Sequence, residues 1–198
     1  LMADLITRDE YKSLKNLSQS VKDDGRIDAL VDSVSQLVKT YCGNNIVDYY
    51  SSNKTETFNV NWDTYVVQLT ESPVNAIVSV QEREGYSSSY STLTTGDNEY
   101  YLDLETDSVI RTTTGSAYKN WPRGPGAVKI VYTAGYATTP KDLQLAVADL
   151  VTYYLKDEYK ERRSMQGASM TNQGTSSAAN NVDFPDHIKR VLDLYKNF

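Results

Sequence analysis

The sequence predicts an α+β protein: an α-helical core (an N-terminal helix pair plus a long C-terminal helix), an inserted antiparallel β domain and a tethered C-terminal helix. Three observations predict it. Apolar residues recur at three- and four-residue steps in 27–41 and again in 143–154. Between 46 and 136 the period changes to alternation, which is typical of strands with one buried face. An uncharged polar stretch, 164–182, then precedes a last helical pattern.

Two helices are expected before residue 45. Thr7 and Glu10 have the spacing of a capping box, which predicts a short helix ending near Leu17. The second helix has one strongly apolar face, and Gly43 stands where a helix is expected to end. The residues of that face are Ile27, Leu30, Val31, Val34, Leu37, Val38 and Tyr41. Such a face is too apolar for water, so we expect it to pack against the later long helix.

The inserted β domain is expected to contain six strands, at 56–60, 64–69, 75–83, 100–104, 109–113 and 128–133. The Pro- and Gly-rich segment 120–126 is expected to be a loop, because proline cannot donate a hydrogen bond in a central strand. The Ser-, Thr- and Tyr-rich segment 86–95 is expected to be an exposed hairpin tip or a mobile loop. Gly135 is expected to allow a sharp turn after the last strand.

A long core helix is expected after this turn. Thr139 is placed to cap it, Pro140 fits its first turn, and an apolar stripe runs from Leu143 to Tyr154. The predicted organisation is therefore 1–45 (first helical part), 46–139 (β insertion), 140–163 (long helix), 164–182 (flexible neutral tether) and 183–198 (docking helix). For the last helix two interpretations stay open: it folds back on its own helices, or the tether delivers it to another chain.

The composition excludes several functional classes. A net charge of −6 argues against an overall basic surface for nucleic acid. The chain has a single cysteine, Cys42, and a single histidine, His187, which excludes an internal disulfide and leaves too few soft ligands for structural zinc. No apolar run is long enough to cross a membrane, and we expect a soluble protein of a reducing compartment. Tyrosine is abundant, at 16 residues, which suits either strands or subunit contacts.

The sequence offers no catalytic constellation, and we expect no enzyme activity, no metal and no cofactor. Phosphate loops, nucleophile elbows and zinc-protease motifs are missing. His187 follows Asp186, but neighbours on a helix point to different faces, and no nucleophile accompanies them. The pair Asp23-Asp24 and the run Asp97-Asn98-Glu99 lack the ligand spacing of a calcium loop and are better interpreted as a helix start and a turn.

Several motifs, in their order along the chain, carry a resemblance to a known family. They are Leu5-Ile6-Thr7 before two helices, Ser72-Pro73-Val74 before a strand, Trp121-Pro122, the joint Val131-Tyr132-Thr133-Ala134-Gly135-Tyr136 followed by Thr139-Pro140, and Phe184-Pro185 before a last helix. Together they resemble the head–tail connector (adaptor, or head completion) proteins of tailed bacteriophages. The resemblance spans nearly the whole chain, and no single motif decides it.

The resemblance implies a structural virion protein at the head–tail interface, assembled in the host cytoplasm. It implies a homo-oligomeric ring, commonly of twelve copies, that binds the portal and bridges the DNA-filled capsid to a tail, stopper or neck protein. Genomic DNA would pass through the ring without specific binding. The acidic balance fits such a channel, because each Lys–phosphate contact would add affinity for DNA and slow its passage. We therefore expect the surface that lines the channel to be acidic or neutral.

The resemblance also implies residues for two kinds of contact. The tether 164–182 and the last helix are implied to reach the portal, through Phe184, Ile188, Val191, Leu192, Tyr195 and Phe198. Contacts with a neighbouring subunit or the tail are implied for Tyr153, Tyr154, Glu158, Arg162, Arg163, Trp121, Tyr86 and Tyr90. An alternative from another class is a carbohydrate- or receptor-binding virion module, suggested by aromatic residues in strands and loops.

Overall fold

The computed structural model describes residues 3–17, 24–95, 98–115, 117–156, 162–165, 168–171 and 184–196. They divide into a helical unit, within Leu1–Gly43 and Thr139–Lys196, and a β unit, Asn44–Thr138. The predicted α+β class is confirmed, because helices and antiparallel sheets are both present.

The helical unit contains four α-helices: α1 (Arg8–Leu14), α2 (Asp24–Cys42), α3 (Lys141–Leu155) and α4 (Asp186–Leu192), the last followed by a 3-10 turn, Asp193–Tyr195. The predicted capping box is confirmed: Glu10 N–H donates to the Thr7 hydroxyl at 3.2 Å, and Thr7 N–H donates to Glu10 Oε2 at 2.7 Å. Helix α1 ends at Leu14, before the expected Leu17. Helix α2 ends as expected, since Gly43 adopts a φ of 62°.

Helix α3 is the centre of the helical unit. Leu143, Val147, Leu150 and Val151 are completely buried, and α1, α2 and α4 all contact it. Lys15, the C-cap residue of α1, forms an ion pair with Asp149 of α3. The predicted packing of α2 against the long helix is confirmed, and it removes from water the apolar faces on which the sequence prediction rested.

The predicted extent of the long helix, 140–163, was wrong at its C-terminal end. Helix α3 ends at Leu155, and Arg162–Met165 forms strand β8, which pairs with β9 (Ala168–Thr171) as a hairpin. The apolar stripe stops at Tyr154 and Leu155, so a longer helix would have no further apolar surface to bury. The hairpin also occupies part of the predicted tether. The expected Thr139 cap is wrong too: Pro140 is the N-cap residue, and no side chain caps the helix.

The β unit contains two antiparallel sheets. The first has the order β1 (Lys54–Val60), β7 (Gly124–Ala134), β3 (Val74–Glu82), β4 (Ser91–Leu93). The second has the order β2 (Val66–Gln68), β6 (Ser108–Arg111), β5 (Tyr100–Asp103). Their inward faces share one apolar core, which includes Val67, Val80, Val109, Trp121, Val128, Ile130 and Tyr132.

Two of the expected loops contain strands. Strand β7 begins at Gly124, inside the expected loop 120–126. Pro125 is tolerated in this strand because the pairing of β7 with β3 begins only at Val128, beyond the proline. Strand β4 lies inside the segment 86–95, because Leu93 is buried opposite Val80. The expected turn at Gly135 is confirmed: its φ is 94°, and a Cβ there would lie 2.2 Å from the carbonyl oxygen of Ile46.

Candidate functional site

The described residues offer little for catalysis. No group of three or more His, Cys, Asp or Glu side chains among them could hold a metal ion. His187 is exposed on α4, while Cys42 is completely buried. Burial, with a smaller contribution from Asp193, raises the pKa of the Cys42 thiol to about 12, so the thiol stays protonated and unreactive at neutral pH. None of the described helices combines the length and apolar character needed to cross a membrane.

The last helix packs on its own chain. Phe184, Ile188 and Leu192 are 1%, 2% and 0% exposed. The ring of Phe184 meets the ring of Tyr41 on α2 edge to face, with centroids 5.0 Å apart. The Cys42 thiol lies 3.6 Å from the carbonyl oxygen of Leu192.

Two tyrosine hydroxyls form hydrogen bonds that hold the end of this segment on the helical unit. The Tyr41 hydroxyl donates to Asp193 Oδ1 at 2.6 Å, and the Tyr195 hydroxyl donates to Asp142 Oδ1, on α3, at 2.7 Å. Burial, and then the bond to Asp193, raise the pKa of Tyr41 to about 12. The first of the two open interpretations is therefore what the structure shows: this helix folds back on its own helical unit.

The predicted portal-binding residues consequently divide into two groups. Phe184, Ile188 and Leu192 face α2 and α3, so they cannot meet a portal while the helix keeps this position. Val191 and Tyr195 are half-buried, and Phe198 lies outside the described residues. The sequence prediction missed Leu194, which is 76% exposed. Lys189 and Arg190 are exposed on the same segment, and so are Asp186 and Asp193, so its outer face carries charges of both signs around one large apolar side chain.

The predicted subunit contacts also divide. Tyr86 is 73% exposed, and the half-buried Tyr90 donates to the carbonyl oxygen of Gly126 at 2.7 Å. The guanidinium of Arg83 lies 5.0 Å from the Tyr86 ring and 4.6 Å from the Tyr90 ring. On α3, Tyr153 and Tyr154 are half-buried with ring centroids 5.5 Å apart.

Trp121 was wrongly predicted as a contact residue. It is 2% exposed and belongs to the core of the β unit, with the Arg111 guanidinium 5.9 Å from its ring. Burial of the large apolar ring of Trp121 is favourable, and this outweighs the surface position expected for a residue in a loop. Glu158 lies outside the described residues, and Arg162 and Arg163 lie in β8.

The structure adds an exposed aromatic surface that sequence reasoning missed. The rings of Tyr65 and Tyr118 lie against each other with centroids 4.6 Å apart and planes tilted by 31°, although the residues are distant in sequence. Tyr118 is 70% exposed, and Trp62, three residues before Tyr65 in the sequence, is 65% exposed. Exposed rings that contact each other, as Tyr65 and Tyr118 do, form a patch of apolar surface, which indicates a binding surface better than single exposed side chains do. The pairing follows from a bridge between Tyr118 and Thr112, which no local pattern announces.

The helical unit presents an acidic hollow. Asp4, Asp9 and Asp28 line it together with Arg8, and the Arg8 guanidinium bonds to Asp28 at 2.9 Å. Burial raises the pKa of Asp4, and the carboxylate of Asp32 adds to the rise. The hollow is thus a place where like charges are held close together, which favours a basic partner over a nucleic acid.

A protein-family model matches nearly the whole chain. The model of the head completion protein family matches residues 4–198. The chain belongs to the head completion protein family. The resemblance to head–tail connector proteins found in the sequence is confirmed by this match.

A curated relative in this family is the head completion protein of Escherichia phage T5, which is 31% identical over 72 residues. That match covers 36% of the chain and 39% of the relative, so the chain matches well under half the length of the curated relative.

Solved structures share the fold at low identity. The neck of an empty gene transfer agent (GTA) particle, computed with C6 symmetry, contains a chain with a TM-score of 0.60 and 13% identity, covering 98% of this chain and 90% of that one. The neck of a native GTA particle, computed with C12 symmetry, contains one with a TM-score of 0.56 and 12% identity, covering 100% and 96%. Membership of the head completion protein family together with this fold supports a structural role at the head–tail connection.

Proposed function

We propose that this head completion protein is a ring-forming adaptor that binds the portal and bridges the DNA-filled capsid to the tail or neck, lining the channel through which DNA leaves. The observation that carries the proposal is the family match over residues 4–198. The family favours this function over a carbohydrate-binding module, for which the aromatic residues alone are an insufficient argument.

The ring is supported by the architecture. Chains with the same fold occur in necks with sixfold and twelvefold symmetry, and they align with this chain over almost its entire length. We propose twelve copies, located in the virion neck and assembled in the host cytoplasm before they join the capsid. A cyclic ring needs two different surfaces per subunit, because each copy contacts one neighbour with each of them.

Portal binding is proposed for the outer face of the last helix. Arg190, Val191 and Leu194 remain accessible when Phe184, Ile188 and Leu192 are seated on α2 and α3. An exposed leucine with Arg190 on one side and Asp193 on the other suits a groove that is apolar at its centre and carries charges of both signs at its rim. The buried residues then act as the support that holds this face in position.

The channel surface is proposed to be acidic or neutral. The chain carries a net charge of −6, and the helical unit concentrates Asp4, Asp9 and Asp28 in one hollow. A surface of this kind does not release counterions from DNA, so it leaves the passing duplex unbound. Binding of the free protein to linear duplex DNA at physiological salt would contradict this part of the proposal.

The test is reconstitution with the cognate portal protein. The two purified proteins are mixed and the product is examined by electron microscopy and by sedimentation. Twelve copies stacked as a ring on the portal are expected. A folded protein that stays monomeric and separate from the portal overturns the proposal, and a Leu194→Asp variant that binds as well as the wild type removes the assigned portal face.

A further inference from the structure

We propose that neighbouring copies of this chain contact each other head to tail through two surfaces of the β unit: an aromatic patch on one copy receives an acidic turn of the next. The aromatic patch is Trp62, Tyr65 and Tyr118, flanked by Lys119 and Arg123. The acidic turn is 103–107, which presents Leu104 between Asp103 and Glu105. This inference rests on the proposed ring and names the contact that would close it.

The two surfaces lie at opposite corners of one sheet. Arg111 N–H, at the end of β6, donates to the carbonyl oxygen of Tyr65 at 2.7 Å, which places the aromatic patch at that end and on the β2 side. Asp103, at the end of β5, pairs with Ser108 at the start of β6. Strand rise and strand spacing separate the corners by roughly 16 Å. Surfaces at opposite corners can each meet a different neighbour, as a heterologous interface requires.

The surfaces are complementary in charge. Lys119 and Arg123 are 50% and 59% exposed; Arg123 pairs with Asp63, and Lys119 lies 4.0 Å from Glu82, which Arg111 also neutralises, so the cations of the patch still outnumber its carboxylates. The acidic turn carries Asp103 and the exposed Glu105. Opposite charges around an apolar centre fix the register of a contact and disfavour pairing of like surfaces. Contacts between two aromatic patches or between two acidic turns are therefore disfavoured, whereas a contact between the patch of one copy and the turn of the next is favoured.

The apolar parts of the two surfaces also match. Leu104 is 62% exposed in a turn, where Gly, Pro, Asn, Asp and Ser are the more frequent residues. Trp62 and Tyr118, at 65% and 70% exposed, offer wide flat rings on which an aliphatic side chain can pack. Trp, Tyr and Arg are the residues most enriched where interfaces gain their binding energy.

Both surfaces are held in place before any contact forms. Within the turn, Asp103 accepts from Glu105 N–H at 3.0 Å and from the Thr106 hydroxyl at 2.8 Å. Gln68 on β2 donates to the carbonyl oxygen of Asp107 at 3.3 Å. In the patch, Lys119 N–H donates to the Arg111 carbonyl at 3.1 Å, and the two tyrosine rings lie against each other. Because the groups are already ordered, association loses less conformational entropy.

The test is site-specific cross-linking of the full chain with a short bis-maleimide. Leu104→Cys and Tyr118→Cys are made separately, and native Cys42 does not compete because it is completely buried. A mixture of the two variants is expected to give a heterodimer, and neither variant alone is expected to exceed the wild type. A chain carrying both substitutions is expected to give a ladder of multimers. Tyr50→Cys, also on an exposed tyrosine of the β unit, mixed with Leu104→Cys is the matched control and is expected to give no heterodimer.

A charge exchange provides the second arm. Arg123→Glu and Glu105→Arg are each expected to weaken cross-linking of the double-cysteine chain by about tenfold, and the two together in one chain are expected to restore it. The reactions are run on the free chain and on the portal-bound chain. The inference is overturned if either single variant alone gives as much homodimer as the mixture gives heterodimer. It is also overturned if the mixture gives no heterodimer, either as free chain or bound to the portal. Rings seen on the portal without this heterodimer refute the contact alone, whereas no ring and no portal binding refute the proposed function itself.

Discussion

The Tyr195 hydroxyl donates a hydrogen bond to the carboxylate of Asp142 at 2.7 Å, which joins the end of the described chain to the first turn of α3. Together with the edge-to-face contact of Tyr41 and Phe184, it makes the last helix an integral part of the helical unit. The C-terminal segment is consequently a structural element first, and any contact with a portal uses its other side.

The packing of the last helix against the rest of the helical unit leads to a stability prediction. Phe184→Ala and Leu192→Ala are each expected to lower the free energy of unfolding by about 2–5 kcal/mol, because both side chains are buried and leave a cavity. Chemical denaturation followed by circular dichroism measures this. Leu194→Ala, at a position 76% exposed, is the control and is expected to change the stability by less than about 0.5 kcal/mol. Equal effects at Leu192 and Leu194 would refute the packing.

Two arginine–carboxylate pairs in the β unit are expected to differ in strength. Arg111 is 3% exposed and holds Glu82 with two bonds of 2.9 and 2.8 Å, whereas the Arg123–Asp63 pair lies in solvent. Glu82→Ala leaves a buried charge without its partner and is expected to cost about 3–5 kcal/mol. Asp63→Ala is expected to cost at most about 1 kcal/mol. Urea unfolding of the two variants gives the comparison, and similar losses would show that burial does not decide it.

Two glycines are expected to respond to alanine in opposite directions. Gly135 has a φ of 94° and would bring a Cβ within 2.2 Å of a carbonyl oxygen, so Gly135→Ala is expected to be strongly destabilising or to prevent folding. Gly25 lies in α2 with open space around it, so Gly25→Ala is expected to stabilise by up to about 1 kcal/mol. Thermal melts of both variants are the measurement, and a stabilised Gly135→Ala would contradict the turn geometry.

Cys42 is expected to give an alkaline dependence of stability. Its pKa is raised from an ordinary 9.0 to about 12, so between these values the unfolded chain loses this proton and the folded chain keeps it. The unfolded state then binds fewer protons, and stability is expected to fall as the pH rises above 9.0. Unfolding curves from pH 8 to pH 11 measure the slope. Cys42→Ala is expected to show a shallower fall, and an unchanged slope would assign the effect to the tyrosines.

Local signals in the sequence predicted part of the fold. The capping box of Thr7 and Glu10, the helix end at Gly43 and the turn at Gly135 depend on neighbouring residues, and all three are found in the structure. The end of α3 at Leu155 could also have been read from the sequence, because the apolar stripe stops there.

The surfaces depended on distant contacts and were predicted less well. The burial of Trp121 depends on strands from both sheets, and the pairing of Tyr65 with Tyr118 depends on a bridge to Thr112. The position of the last helix depends on Tyr41 and Asp142, far away in sequence. Which aromatic side chains are outside is decided by such pairings, so composition could indicate an assembly surface but could not locate it.

The attachment of α4 also determines what a protease would do to this protein. Helix α3 ends at Leu155 and Phe184 packs on α2, so both ends of the connection between them belong to the helical unit. A single cut within that connection would therefore yield two polypeptides that stay together, with the short one retained by Phe184, Ile188 and Leu192. A cleaved subunit would migrate as two bands on a denaturing gel and still elute as one folded particle.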